Sequence, residues 1–145
     1  MKGIQEKVNP EIATREGWQE VKKQDWEKVK EIGPSFWSEL KWKQDGKQLW
    51  NYIKVHNPII LSARPKTIES AKKGKLKWIQ ENLGSKFAKT AIITLGFLKQ
   101  NHANNSSILI DDYDKNIKQW RNKGGIGILH KDAHTTIEEL KGLGL

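Results

Sequence analysis

Residues 107–129, SILIDDYDKNIKQWRNKGGIGIL, constrain this chain more than any other stretch. Ser107-Ile108-Leu109-Ile110 is a short apolar run rich in branched side chains, the composition of a strand covered on both faces. It ends in two adjacent carboxylates, Asp111 and Asp112. Ile117 and Trp120 then recur at helical spacing, and Gly124-Gly125 stops that helix before a second apolar run, Ile126 to Leu129. The pattern predicts strand, helix and strand, with the acidic pair at the carboxyl end of the first strand. Ligands of open α/β sheets sit at that end. Two neighbouring acids repel each other, and a cation relieves the repulsion. The same residues also suit a simpler purpose, in which Asp111 and Asp112 cap the helix and Asp114 lies in its first turn.

Further unit boundaries follow from the same logic. Residues 1–40 read as helical and polar, with a break at Val8-Asn9-Pro10. A loose apolar stripe of Trp18, Val21, Trp26, Val29 and Ile32 ends at Gly33-Pro34. Phe36-Trp37 and Leu40 to Trp42 form an aromatic cluster. Asp45-Gly46 opens a helix with Leu49, Trp50 and Ile53 on one face, closing near His56-Asn57-Pro58. Pro58 to Ser62 is the first strand expected, and residues 67–83 a helix burying Ile68, Ala71, Trp78 and Ile79, with Gly84 as its cap. Residues 90–95 are a second strand, 97–105 a connection carrying Lys99 and His102, and 135–140 a short closing helix. Four strands alternating with helices predict an α/β fold, a three-layer Rossmann-like arrangement around a parallel sheet. Residues 1–45 form a helical cap-like segment of it and 46–145 the core.

At 145 residues the chain is the size of one domain. It has no cysteine, hence no disulfide or thiolate metal site. No apolar run is long enough to span a membrane, and the opening Met1-Lys2-Gly3 does not begin a signal peptide, so a cytoplasmic protein is expected. The net charge of +9 is concentrated in residues 58–105, which hold 9 basic and 2 acidic residues. Arg64, Lys66, Lys72, Lys73, Lys75 and Lys77 supply most of it. Such a basic stretch suits a phosphorylated substrate or a nucleic-acid backbone, or is a solvated helix face. The seven tryptophans are spread along the chain, which favours packing over a base-stacking platform. His56, His102, His130 and His134 show no ligand spacing and read as surface or loop residues.

Three features fall at ends of predicted strands: Ser62, Lys99 and Asp111-Asp112. A hydroxyl and an ammonium bind phosphoryl oxygens, and paired carboxylates hold Mg²⁺ against developing charge. This set resembles motifs II, III and IV of the haloacid dehalogenase (HAD) superfamily of phosphatases. The likeness is closest to the small 5'(3')-deoxyribonucleotidases and related short proteins of phage and bacterial genomes. Motif II is a strand ending in Ser or Thr, here ILSARP at 60–65. Motif III is a lysine about a dozen residues before an acidic pair, here Lys99. Motif IV is the strand ending IDD, here ILIDDYDKNIKQW followed by GGIGI. The resemblance spans residues 36–145 and is most specific in motif IV. It implies a Mg²⁺-dependent phosphatase of nucleotides or similar phosphate esters. Asp111 and Asp112 would then be metal ligands, and Ser62, Lys99 and Arg64 phosphate-binding residues.

One part of the family pattern is missing. Family members begin with a strand ending in Asp-x-Asp, the first Asp being the phosphoryl nucleophile and the second the general acid/base. No such strand precedes Ser62. The only Asp-x-Asp is Asp112-Tyr113-Asp114, inside motif IV, and Asp25 and Asp45 sit in polar helical or turn settings. The opening Met1-Lys2-Gly3-Ile4-Gln5 resembles the text that follows the nucleophile loop. The central strand of the sheet is therefore expected to be absent and the chain inactive alone. A separate strand-bearing polypeptide would complete it by β-augmentation, or the sheet closes up or a second copy fills the slot, or the true reading frame starts further upstream. The other readings are a non-catalytic remnant serving as a partner or binding subunit, and a basic nucleic-acid-binding module.

Overall fold

The computed structural model describes residues 23–145, with the side chains of 23–25 left aside. Residues 1–5, the break at Val8-Asn9-Pro10, and Trp18 and Val21 lie outside the described residues, as does the side chain of Asp25. The elements are α1 (Lys23–Ile32), α2 (Pro34–Ser38), α3 (Gly46–Ile53), β1 (Leu61–Ala63), α4 (Ser70–Asn82), α5 (Ser85–Thr90), β2 (Ile92–Thr94), β3 (Ile108–Asp111), α6 (Asp114–Asn122), β4 (Ile126–Leu129) and α7 (Ala133–Gly142). Two 3₁₀ segments, Lys54–His56 and Gly96–His102, link them. The fold is mixed α/β. All four expected strands form, but among the described residues they make two sheets of two strands, β1 with β2 and β3 with β4. Each strand is only three or four residues long, so each pairing rests on a short ladder.

The chain divides into two compact units, described separately. In the first, residues 23–43 group with 59–93. Its core is Val29, Phe36, Trp37, Leu40, Ile68 and Ala71, with Trp26 and Trp78 packed against it. The apolar stripe of α1 and the aromatic pair on α2 thus meet Ala71 on α4 and Ile68 just before that helix. Phe36 and Trp37 stand edge-to-face with ring centroids 5.1 Å apart. Trp78 leans on Trp42, and its indole N–H donates to the Leu40 carbonyl at 2.6 Å. A buried indole keeps its apolar contact only when that polar edge is satisfied. α4 ends where Leu83 and Gly84 both donate to the Ile79 carbonyl, and the short helix α5 follows.

The second unit comprises residues 44–58 and 94–145. Here β3 and β4 pair in parallel, Ile108 opposite Ile126 and Asp111 opposite Leu129. α6 crosses between them, burying Ile117 and Trp120 with Leu109 and Ile128. This is the strand–helix–strand unit expected from the sequence. The helix stops because Gly124 takes a left-handed conformation (φ 91°), and its amide closes onto the Arg121 carbonyl. α3 packs on α7, fastened where the Tyr52 hydroxyl donates to the Leu145 carbonyl (2.9 Å). At the other end the Ala133 amide donates to Asp45 Oδ2 (2.6 Å).

α7 carries its own N-cap. The Thr135 amide donates to Asp132 Oδ1 at 2.7 Å and the Thr135 hydroxyl to Oδ2 at 3.0 Å. These two bonds hold the Asp132 carboxyl below the usual carboxylate range, and the neighbouring His134 and His130 add to the effect. A lowered folded-state value means stabilisation that is present above the unfolded value and lost as pH falls through the folded one. Asp132→Ala is therefore expected to lower the thermal midpoint at neutral pH, and Asp132→Asn to lower it less. The gap between wild type and Asp132→Asn should close on acidification. Thermal melts from neutral pH down to about pH 3 check this, since the transition brackets the ordinary aspartate range.

Candidate functional site

The best-built polar group in the second unit sits at the carboxyl end of β3. Lys99, from the 3₁₀ segment before β3, places its ammonium 2.7 Å from Asp111 Oδ2. The pair is nearly removed from water, with side chains 10% and 7% exposed. Asn116 donates its amide to the same Oδ2 at 3.0 Å, and the Tyr113 backbone N–H donates to Oδ1 at 2.9 Å. Asp111 is thus an acceptor for three donors, from three different positions of the chain. Its own carbonyl accepts from the His130 amide (2.8 Å), which ties the end of β4 to the end of β3.

Each part has a local cause. β3 ends at Asp111 because the carboxylate turns back onto the Tyr113 amide, an Asx-type turn that leads into α6. Asn116 lies five residues on, in the first turn of α6, from where its side-chain amide reaches Asp111. The capping reading of the acidic pair is therefore partly realised: Asp111 shapes the helix entry, and Asp114 begins α6 with an i,i+4 ion pair to Lys118 (2.8 Å). What that reading leaves out is Lys99. A buried ammonium–carboxylate pair at the end of a strand is more than a helix entry needs. Asp112, next in sequence, is exposed.

Whether this donor set suits a hard divalent cation turns on Asp111. A carboxylate offers about four acceptor positions, of which three are used here, so Oδ1 retains one. Together with the exposed Asp112 carboxylate that is an all-oxygen set, the kind Mg²⁺ takes when it keeps most of its water. Among the described residues no three His, Cys, Asp or Glu side chains form a metal-holding cluster.

The first unit holds the other expected residues. Ser62, at the centre of β1, is 8% exposed, and its hydroxyl oxygen accepts from the Lys75 ammonium at 3.2 Å. Lys75 also donates to the Ala63 carbonyl. Arg64 folds onto its own turn, reaching the carbonyls of Pro65 and Lys66 at 3.3 Å and Glu69 at 3.4 Å. It serves the turn out of β1.

Three polar residues in these networks escaped the sequence reading. Lys75 read as part of a basic surface stretch, but it is 3% exposed. It is a correction with a plain cause: Ala71, Lys75 and Ile79 recur every four residues and share the inner face of α4. Lys66, Lys72, Lys73 and Lys77 are exposed, as a solvated basic face requires. Asn116 is buried because it shares a face of α6 with Ile117 and Trp120. His130, in the loop directly after β4, is half-buried with Nδ1 2.6 Å from the buried Thr136 hydroxyl, a contact that its place in the sequence does not announce.

Compared with protein-family models, curated proteins and solved structures, the chain matches none.

Proposed function

We propose that this chain is the phosphate- and cation-handling part of a Mg²⁺-dependent phosphomonoesterase of the HAD type, acting on a nucleotide or similar small phosphate ester. The observation that carries the reading is the buried Lys99–Asp111 pair at the carboxyl end of β3, beside the exposed Asp112. A lysine twelve positions before an acidic pair is a weak pattern in a sequence; an ammonium 2.7 Å from the first of those acids is a specific arrangement. Asp111 and Asp112 would hold Mg²⁺, which when bound neutralises charge on the transferring phosphoryl group. Lys99 sets the orientation of the Asp111 carboxylate and offsets negative charge around it.

In the same proposal the nucleophile is not among these 145 residues. The sole Asp-x-Asp, Asp112-Tyr113-Asp114, spans the turn from β3 into α6, where Asp114 is already paired with Lys118. Among the described residues β3 pairs only with β4 in its sheet, so its second edge has no ladder partner. Such an edge accepts an added strand through backbone hydrogen bonds. The central strand of the HAD-type sheet would come from a segment bearing Asp-x-Asp that lies outside these 145 residues.

A second reading draws on how fully Asp111 is engaged: three donors on one carboxylate also suit a purely structural joint, in a non-catalytic subunit of the same ancestry. Cation binding separates the two. Titration of the ¹⁵N-labelled chain with Mg²⁺ is expected to shift the amides of 111–113, and Asp112→Asn is expected to abolish the shift. Shifts scattered over surface acids, unaffected by Asp112→Asn, would favour the structural joint.

A further inference from the structure

A groove of about 590 Å³ lies between α4 and α5 in the first unit, and no residue of the proposed chemistry lines it. Its apolar lining is Leu76 from α4 and Ala88 from α5, both half-buried. Helical phase accounts for Leu76. Ala71, Lys75 and Ile79 recur on the inner face of α4, and Leu76 falls outside that face, near Lys72, Lys73 and Lys77. It takes no part in the buried core of the unit.

The charge around this groove is one-sided. Residues 70–90 hold six basic side chains and one acidic. Lys75 is turned inward, and the other five, Lys72, Lys73, Lys77, Lys86 and Lys89, are exposed. Lys77 and Lys89 line the groove, one from each helix. The single acid, Glu81, also lines it, 3.9 Å from the Lys77 ammonium, and the two side chains are 55% and 63% exposed. An ion pair so long and so well hydrated is worth little and leaves the basic field in place. Apolar lining with a cation from each wall is complementary to apolar side chains flanked by carboxylates.

From this arrangement we infer that the α4–α5 groove docks an acidic amphipathic helix of a partner protein. Its apolar stripe lies against Leu76 and Ala88, and its carboxylates face Lys77 and Lys89. Other occupants fit less well. A second copy of this chain brings a net charge of +9 to a surface that is already basic. For a nucleic-acid strand, the described residues lining the groove include no aromatic ring on which a base could stack. Its phosphates would meet Glu81 and make no use of Leu76 and Ala88. The groove is small for a protein interface, so the binding is of the transient class. The inference is independent of the phosphatase reading.

The test is fluorescence anisotropy of a labelled synthetic helix titrated with the full 145-residue chain. The helix carries leucines at i, i+3, i+4 and i+7 with glutamates on either side. Three other probes accompany it: the same helix with lysines for glutamates, one of equal composition with its leucines on all faces, and a single-stranded oligonucleotide. The acidic helix should bind saturably and better than all three. Joining Lys77→Glu and Lys89→Glu should weaken it about tenfold or more, because like charges then face each other. Leu76→Gln should weaken it several-fold, and reversing the exposed Lys123 and Lys131 of the other unit should change nothing. Far-UV circular dichroism checks the fold of each variant, and in the wild type the ¹⁵N-labelled amides of residues 76–89 should shift on binding. Absence of saturable binding by the acidic helix overturns the inference. Equal binding of the helix with dispersed leucines, unmoved by Leu76→Gln, also overturns it, since charge alone would then suffice. Tighter binding of the oligonucleotide, released by the double reversal, would assign the groove to nucleic acid instead.

Discussion

Replacing Lys99 with methionine is expected to destabilise the protein by about 3–5 kcal/mol, the range for leaving one member of a buried ion pair without its partner. Methionine fills most of the volume of the lysine stem, so the loss reads on charge rather than on a cavity. What remains is the Asp111 carboxylate, 7% exposed, with the Asn116 amide and the Tyr113 N–H as its only described donors. Two neutral donors do not offset the desolvation of a full charge. Against a typical total stability of about 5–15 kcal/mol, this is a large share. Asp111→Asn strands the ammonium in the same way. Joining the two substitutions should cost clearly less than the sum of the separate losses, because the double variant has no buried charge left. Urea unfolding of the four proteins measures this. A Lys99→Met loss under about 1 kcal/mol, the value of an exposed pair, would show that water reaches the site.

Gly74→Val is expected to separate α2 from α4 and to cost about 3 kcal/mol or more, the upper range for overpacking a filled interior. A Cβ at this position would lie 2.3 Å from the Pro34 carbonyl oxygen and 2.6 Å from Trp37 Cβ. The first of these is backbone at the start of α2, and the second the root of a fully buried indole, so neither can yield by a side-chain rotation. Glycine within a helix ordinarily costs up to about 1 kcal/mol relative to alanine; here it permits the closest approach of the two helices. Even Gly74→Ala should destabilise, reversing the usual effect of that substitution. Loss of near-ultraviolet circular dichroism from the packed tryptophans, at an unchanged helical signal, would be the accompanying sign. A neutral or stabilising Gly74→Ala would mean that α2 and α4 do not pack as described.

The two substitutions also show where the sequence was readable and where it was not. The β3–α6–β4 unit was legible because three independent signals agree: branched apolar runs, helical spacing of Ile117 and Trp120, and a glycine pair at the stop. The Lys99–Asp111 pairing was legible only as a spacing, since loops of twelve residues bring many residues close and few into contact. By helix propensity alone Gly74 is a weak point of α4; its value lies in what stands opposite, and a partner helix forty residues upstream leaves no local trace. Lys75 was hidden by composition: among Lys72, Lys73 and Lys77 it reads as one more surface charge, although its phase with Ala71 and Ile79 points inward. α5 went unseen because six residues with only Phe87 and Ala88 as apolar members show no period. The expectation of one four-stranded sheet gave way to two pairs because alternation of elements predicts strands, while the partner of each strand depends on contacts far apart in the chain.

The measurement that bears most directly on the central proposal is hydrolysis of a deoxynucleoside monophosphate and of an aryl phosphate in the presence of Mg²⁺. It is made with the 145-residue chain alone and again with a synthetic strand bearing Asp-x-Asp added. The account predicts no turnover by the chain alone and turnover with the strand, lost when Asp111 is changed to Asn or the first Asp of the strand to Asn. Turnover by the chain alone that disappears in Asp111→Asn would contradict the account, because the nucleophile would then lie within this chain. Silence under both conditions would equally contradict it and leave the buried Lys99–Asp111 pair as a structural joint.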